Sequence, residues 1–101
     1  MNKLDETLYI NSLLELYGSL LTDNQKKIMD MYYEFNLSFG EIGDELSISR
    51  AAVNDAIRKS VQILNNYENK LNLLKKREKI NNICEKISDR KDIVEQLKEV
   101  L

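Results

Sequence analysis

The spacing of apolar residues along the chain predicts helices from one end to the other. Near the N-terminus, apolar side chains recur at steps of three and four residues, which places them on one face of a helix over residues 4 to 21. The members of this face are Ile10, Leu13, Leu14, Tyr17, Leu20 and Leu21. Gly18 interrupts the pattern near the end of the helix, where a close backbone approach or fraying is tolerated.

Thr22 marks the start of a second predicted helix. Threonine is a good N-cap, and the carboxylate of Asp23 is favourable in the first turn because it faces the positive end of the helix dipole. Asn36 suits a left-handed residue at the end of this helix. The predicted buried face consists of Ile28, Met31, Tyr32 and Phe35.

A third, short helix and a tight turn follow. Ser38 and Glu41 have the spacing of a capping box, in which each side chain accepts a hydrogen bond from a backbone amide that would otherwise have no partner. The third helix is therefore predicted from Phe39 to Leu46. Residues 47 to 49 form the turn, and Ser49 caps the next helix.

The fourth predicted helix is long, because no break appears between Arg50 and at least Lys75. At ~1.5 Å per residue, this segment would extend about 39 Å. Its apolar positions change from a local core pattern to the alternating steps of four and three that are typical of a coiled coil. These positions are Val53, Ile57, Leu64, Tyr67, Leu71 and Leu74, with Ser60 at one position of the seam.

The C-terminal tail repeats this seven-residue spacing. Ser88 and Asp89 are suited to cap a new helix, so the tail is predicted to be one helix or two. Its apolar stripe must be covered, either by a second chain or by an intrachain hairpin that turns near residues 77 to 82. The length of the stripe favours a homodimer through the long helix and the tail. The stripe contains Ile80, Ile83, Ile87, Val94, Leu97 and Leu101.

Residues 39 to 58 have the spacing of a helix-turn-helix. Gly43 is small where the two helices cross closely, and Ser47 stands at the turn position that must accept an unusual backbone angle. Ile48 is expected to plug the corner. The residues expected to anchor the two helices are Ile42, Leu46, Val53 and Ala56 or Ile57. The predicted fold class is therefore all-α, with a helix-turn-helix domain over residues 1–75 and a helical tail over residues 76–101 that packs on the long helix or on a dimer partner.

The exposed N-terminal part of the fourth helix would read bases if this helix enters a major groove. Arg50 could pair with guanine or contact phosphate, and Asn54 could read adenine. Asp55 opposes phosphate binding unless it accepts from cytosine or orients an arginine. The alternative is that Arg50 and Asp55 form an ordinary charge contact on a solvated face. The candidate nucleic-acid-binding residues are Ser49, Arg50, Ala51, Asn54, Asp55, Arg58 and Lys59.

Charge changes this picture in two ways. The formal net charge is −2 and the isoelectric point is about 5.2, which argues against tight DNA binding by a monomer, because phosphate neutralisation supplies most non-specific affinity. A second basic cluster could bind the backbone of RNA or DNA, or an acidic protein surface. More often such a run is the solvated end of a helix. The cluster contains Lys70, Lys75, Lys76, Arg77 and Lys79.

Composition excludes several classes of protein. The sequence contains no histidine and one cysteine, Cys84, so we expect neither a disulfide framework nor a metal site. It carries no nucleophile elbow and no phosphate-binding glycine loop, so we expect no cofactor and no enzymatic activity. It shows no signal-peptide pattern and no apolar run approaching the ~20 residues that span a bilayer. The expected localisation is cytoplasmic, without a membrane partner.

Two families resemble this sequence. One is region 4 of the bacterial sigma-70-type factors, which reads the −35 promoter element. The residues that resemble it are Leu21-Thr22, Gln25, the Tyr32-Tyr33 pair, Ser38, Glu41-Ile42 and Ile48-Ser49-Arg50. The YlxM family of helix-turn-helix proteins is more similar, over nearly the whole chain. Its pattern is visible in residues 16–22 (Leu-Tyr-Gly-Ser-Leu-Leu-Thr), then Gln25-Lys26, Tyr32-Tyr33, Ser49-Arg50, Ala52-Val53, Asp55 and Ile57.

The resemblance to the YlxM family implies a regulatory role in the signal recognition particle pathway. The implied partners are the targeting GTPase Ffh, the RNA of the particle, or both. The sequence departs from the family at three positions. Gly43 stands where alanine is usual, which is a conservative difference, and Ala51 and Asn54 replace larger side chains on the predicted recognition helix. The alternatives are a DNA-binding transcriptional regulator and a protein-interaction module without nucleic-acid binding.

Overall fold

The computed structural model describes residues 2–101, and this part of the chain is helical almost throughout. Gly18–Leu20 form a 3-10 turn after the first helix, and Asp30–Glu34 continue the second helix as a wider π-helical turn. The prediction of an all-α fold is confirmed. The helices are α1 (Lys3–Tyr17), α2 (Asp23–Met29), α3 (Phe39–Leu46), α4 (Arg50–Leu71), α5 (Leu73–Lys86) and α6 (Lys91–Lys98).

The core lies where α1, α2 and α3 pack around α4. Each of the four helices contributes side chains with almost no exposure to solvent, and burial of such apolar surface is the main stabilising contribution to the fold. The polar side chain of Ser60 is buried among them without an unpaired donor, since its hydroxyl donates to the carbonyl of Ala56, 2.7 Å away. The apolar seam predicted along the first half of α4 is thus part of an intrachain core. The largest fully buried side chains are Leu13, Tyr17, Ile28, Met29, Ile42, Val53 and Leu64.

The first helix is shorter than predicted. It ends at Tyr17, and the 3-10 turn that follows has a tighter winding, which changes the direction in which the next side chains point. Leu20 was expected on the buried face but is 52% exposed. Leu21 comes after the turn and is buried. The apolar face of α1 therefore stops one turn earlier than the sequence pattern indicates.

The second helix begins as predicted and ends differently. The side chain of Thr22 caps it in a reciprocal capping box with Gln25, and Asn36 has the predicted left-handed conformation (φ 58°). Between them, the amide of Phe35 donates to the carbonyl of Asp30, five residues back. This wider turn shifts the helical register. Phe35 is consequently 65% exposed, although the pattern predicted it to be buried.

The fourth helix ends at Leu71, not at Lys75 or beyond. Asn72 adopts the left-handed conformation (φ 55°) between α4 and α5, which asparagine tolerates better than most residues. Glu68, 5% exposed, accepts hydrogen bonds from the amides of Leu74 (3.0 Å) and Lys75 (3.4 Å) at the start of α5. The break is stabilised because these backbone amides find a buried side-chain acceptor.

Tyr17 completes this network from the other end of the sequence. Its hydroxyl donates to Glu68 (2.7 Å) and accepts from the amide of Leu73 (3.2 Å). Its ring stacks on Tyr67 with centroids 5.9 Å apart. Burial, followed by the hydrogen bond to Glu68, raises the pKa of the Tyr17 hydroxyl above its usual value of 10.0. The α4–α5 break is therefore joined to α1 through one phenol.

This raised pKa predicts a loss of stability at alkaline pH. The folded chain holds the Tyr17 proton more tightly than the unfolded chain, so the stabilisation is fully present below pH ~10 and is lost as pH rises through the folded pKa. The urea midpoint of Tyr17→Phe should fall less above pH ~10 than that of the native chain. Tyr67→Phe, from the same stack, is the matched control. Equal alkaline losses in all three proteins would contradict the prediction.

The tail folds back along the chain. Helix α5 packs beside α1, where Arg77 pairs with Glu15 at 3.3 Å, and α6 packs on α5. The turn lies between Ile87 and Arg90 and not at residues 77 to 82, because α5 continues through that segment. The tail was predicted to be one helix or two, and the structure has two. The predicted capping by Ser88 and Asp89 is wrong, since Arg90 occupies the N-cap position of α6 without a side-chain hydrogen bond.

Part of the tail stripe faces solvent. Ile83 is 48% exposed, and Leu101 is 46% exposed. Helix α5 runs through residues 75 and 76, and the division of the chain into two units at that point stays a prediction, as does the homodimer.

Candidate nucleic-acid interface

The turn between α3 and α4 is held by local hydrogen bonds. Ser38 and Glu41 form the predicted capping box at the start of α3, with both distances 3.0 Å. Ser47 adopts the predicted left-handed conformation (φ 59°, ψ 42°). The side chain of Ser49 accepts from the amide of Ala52 (3.0 Å), so it caps α4 as predicted. The two helices therefore meet at a well-defined corner.

Gly43 lies where α3 and the turn that follows it approach each other closely. A Cβ atom placed on Gly43 would lie 2.7 Å from the carbonyl oxygen of Ile48, a distance that real Cβ atoms essentially never show. The amide of Ile48 donates to the carbonyl of Gly43 (2.9 Å), a hydrogen bond that accompanies the left-handed residue Ser47 at the end of α3. The interpretation of glycine in place of alanine as a conservative difference is therefore wrong. The prediction that Ile48 fills the corner with its side chain is also wrong. Its backbone lies against Gly43, and Ile48 is 39% exposed.

The structure brings the candidate residues together on the first three turns of α4. Arg50, Asn54 and Arg58 are spaced by four residues, so they form one stripe along the helix, and all three are exposed. We call these three residues the α4 stripe. Ala51 and Lys59 are also exposed beside it, and Ser49 precedes it as the cap. Asn54, Arg58 and Lys59 are thus exposed along one side of α4, whereas the Arg50 guanidinium lies against the start of α3.

Asp55 is occupied by its neighbours on α4. Its carboxylate pairs with the ammonium of Lys59 (3.0 Å) and the guanidinium of Arg58 (3.2 Å). The hydrogen bonds from Lys59 and then Arg58 hold the pKa of the Asp55 carboxyl below its usual value. The ion pair between Arg50 and Asp55 is not formed among the described residues. Asp55 thus orients Arg58 along the helix surface and offsets part of its charge.

Arg50 lies across the start of α3. A Cβ atom at Gly40 would come within 2.9 Å of the Arg50 guanidinium, so the missing side chain leaves the space that the guanidinium occupies. Next to it, the rings of Tyr32 and Phe39 have centroids 5.1 Å apart. The pattern of the sequence did not predict this neighbourhood, because it depends on the π-helical turn that places Tyr32 beside α3. Arg50, at the N-terminal end of the α4 stripe, thus lies near two aromatic rings.

The charge of the motif is nearly balanced. Residues 39–59 contain three cations against four carboxylates, which leaves a net charge of −1. The exposed acidic residues Asp44 and Glu45 on α3 face the solvent beside the motif. A surface with so few cations neutralises few phosphates, so binding to a phosphate backbone through this motif alone should be weak and should decline with salt.

Comparison with known proteins agrees with this geometry. Residues 4–101 match the UPF0122 family, described as "Putative helix-turn-helix protein, YlxM / p13 like". The chain belongs to this family. The expected membership in the YlxM family is thereby confirmed. The family description names a helix-turn-helix and no catalytic activity.

Several UPF0122 relatives cover most of the chain. UPF0122 protein BH2485 of Halalkalibacterium halodurans is 44% identical over 98 residues, which is 97% of this chain and 81% of the relative. A UPF0122 protein of Mycoplasma capricolum is 39% identical over 104 residues, which is 99% of this chain and 92% of the relative. UPF0122 protein ABC2295 of Shouchella clausii is 51% identical over 73 residues, which is 72% of this chain and 67% of the relative. In the described part of this family member, no helix has the length and apolar character needed to cross a membrane.

Proposed function

We propose that this UPF0122 protein is a regulatory protein that binds nucleic acid through the α4 stripe. The observation that carries the proposal is the row of exposed residues Arg50, Asn54 and Arg58 at intervals of four along α4, next to the α3–α4 corner. Guanidinium groups pair with phosphates or guanine edges, and an amide pairs with adenine. The stripe therefore combines groups for backbone contact with one group for base contact.

The pathway in which it acts is proposed from the YlxM resemblance. The first target is the RNA of the signal recognition particle, with the targeting GTPase Ffh as protein partner. The small number of cations in the motif argues against tight binding to a DNA operator through the motif alone, because each phosphate contact adds to the affinity. Binding to double-stranded DNA as a transcriptional regulator is the second candidate, supported by the helix-turn-helix geometry.

The proposal is tested with Arg50→Ala/Arg58→Ala. Fluorescence anisotropy with labelled particle RNA and with a DNA duplex, at several salt concentrations, would measure affinity and its salt dependence. We expect the double variant to lose at least about tenfold in affinity for the preferred probe, since each lost arginine contact is worth roughly 1–3 kcal/mol when it reads a base. Both side chains are exposed, so the fold should persist by circular dichroism.

Lys91→Ala/Lys98→Ala is the matched control, because it removes two exposed cations from α6, away from the motif. Equal affinities of the native chain and the arginine variant would refute binding through the α4 stripe. Recovery of Ffh by the native chain, together with no binding to either probe, would leave a protein-interaction module.

A further inference from the structure

Four exposed lysines flank the break between α4 and α5. Lys70 lies at the end of α4, and Lys75, Lys76 and Lys79 lie on the first turns of α5, all exposed to solvent. We call these four residues the lysine elbow. Lys75 and Lys79 are four residues apart and point along the same side of α5. Asn72, the left-handed residue between the helices, lies next to them.

Arg77 does not belong to this surface, although it lies in the same sequence cluster. Its guanidinium pairs with Glu15 of α1 at 3.3 Å, and its side chain is only 24% exposed. The structure thus divides the sequence cluster into one cation that fastens the tail to α1 and four that face solvent. Only the latter are available to a partner.

The lysine elbow is the more positive of the two basic regions. Within residues 70–82, with the paired Arg77 left out, four lysines stand against one carboxylate, Glu78, which leaves a net charge of +3. The helix-turn-helix over residues 39–59 has a net charge of −1. A polyanion is therefore attracted more strongly to the elbow than to the helix-turn-helix.

The chemistry of the elbow favours a phosphate backbone. A shallow groove of about 430 Å³ runs along the α5 part of the elbow and is lined by polar and charged residues: Asn72, Lys75, Lys76, Glu78, Lys79 and Asn82. The exposed apolar residues next to it, Leu71 and Leu73, are not part of this lining. Protein interfaces have apolar, aromatic-rich centres in which lysine is depleted, and helices that bind membrane surfaces need an apolar face beside the charges. Ammonium and amide groups are the usual donors to phosphate oxygens.

We infer that the lysine elbow is a second nucleic-acid contact, which binds the phosphate backbone without reading sequence. The inference extends the proposed function, since it assumes that the chain binds nucleic acid. The elbow lies at the opposite end of α4 from the stripe. Helix α4 has 22 residues and is therefore about 33 Å long at ~1.5 Å per residue. The elbow and the α4 stripe are therefore separate surfaces, and their contributions to binding can be measured separately.

Lys75→Gln/Lys79→Gln tests this contact, with Lys91→Gln/Lys98→Gln on α6 as the control of equal charge change. Affinity for a long RNA duplex and a long DNA duplex would be measured at several salt concentrations by anisotropy. The slope of log affinity against log salt should become shallower by about 2 in the elbow variant, since each phosphate contact contributes roughly 0.9. The control should keep the native slope. Equal responses to RNA and DNA would assign the contact to phosphate alone, and a loss restricted to RNA would assign it to the RNA backbone.

Combination with Arg50→Ala/Arg58→Ala separates the inference from the proposed function. The two surfaces lie far apart, so their losses in binding free energy should add. If only the arginine variant weakens binding, the elbow contact is refuted and the proposed function stands. If only the elbow variant weakens binding, the proposed role of the α4 stripe is refuted. If the elbow variant loses binding to polyglutamate but keeps its binding to both duplexes, the partner is an acidic protein and the inference is wrong.

Discussion

Replacement of Glu68 by alanine is expected to lower the free energy of unfolding by about 2–4 kcal/mol. Removing a buried acceptor leaves its hydrogen-bond donors buried without a partner, which is costly. Glu68 is 5% exposed and accepts from the Tyr17 hydroxyl at 2.7 Å and from the amide of Leu74 at 3.0 Å. Alanine would leave these donors in a buried site without an acceptor. Urea denaturation monitored by circular dichroism measures the loss.

Two further variants make this expectation specific. Glu68→Gln keeps a side-chain oxygen that can accept from one donor, so it should lose clearly less stability than the alanine variant. Glu78→Ala removes an exposed carboxylate from α5 and should change stability by no more than about 0.5 kcal/mol. A loss in Glu68→Ala as small as that in Glu78→Ala would show that the buried network does not stabilise the break between α4 and α5.

The elements that were predicted correctly depend on neighbours in sequence. Thr22, Ser38 and Ser49 each cap a helix through an amide three residues ahead, so a short window of sequence contains both partners. Asn36 and Ser47 adopt the predicted left-handed conformation, for which each residue type is itself the signal. The helix-turn-helix consists almost entirely of such local features, which is why its bounds agree with the pattern.

The elements that were predicted incorrectly depend on distant partners. The break at Asn72 needs Glu68 and, through it, the hydroxyl of Tyr17, which lies 51 residues from Glu68 in the sequence. A window that contains residues 68 to 75 shows good helix formers and no proline, so it predicts a continuous helix. The turn of the tail and the exposure of Phe35 were missed for a related reason, since apolar spacing alone does not show where an irregular turn shifts the register.

The candidate site was predictable only in part. Exposure of Asn54 and Arg58 follows from helix geometry alone, because each is rotated by about 100° from the buried residue before it, Val53 or Ile57. The position of Arg50 over Gly40 depends on the packing of α3 against α4, which no pattern within one helix contains. Likewise, only the structure shows that Arg77 pairs with α1 while the neighbouring lysines remain exposed.

A large loss of stability is also expected at the corner between α3 and α4, where a single added methyl group should disturb the packing. Gly43→Ala is expected to lower the free energy of unfolding by about 1–3 kcal/mol, the usual range for overpacking, since its Cβ would lie 2.7 Å from the carbonyl oxygen of Ile48. That oxygen belongs to the backbone and cannot rotate away as a side chain can. Relief requires a shift of the turn, and the turn carries the Ser49 cap and the start of the α4 stripe.

Gly18→Ala provides the matched control. A Cβ atom at Gly18 would meet Lys26 at 3.6 Å, an ordinary contact, and Gly18 has right-handed helical angles (φ −57°) that alanine also adopts. We expect it to leave stability unchanged or to raise it by up to about 1 kcal/mol, because alanine restricts the unfolded chain. Equal unfolding midpoints of the two variants in urea would contradict the steric explanation. A Gly43→Ala variant that stays folded but binds its nucleic-acid probe more weakly would link the geometry of the corner to the position of the α4 stripe.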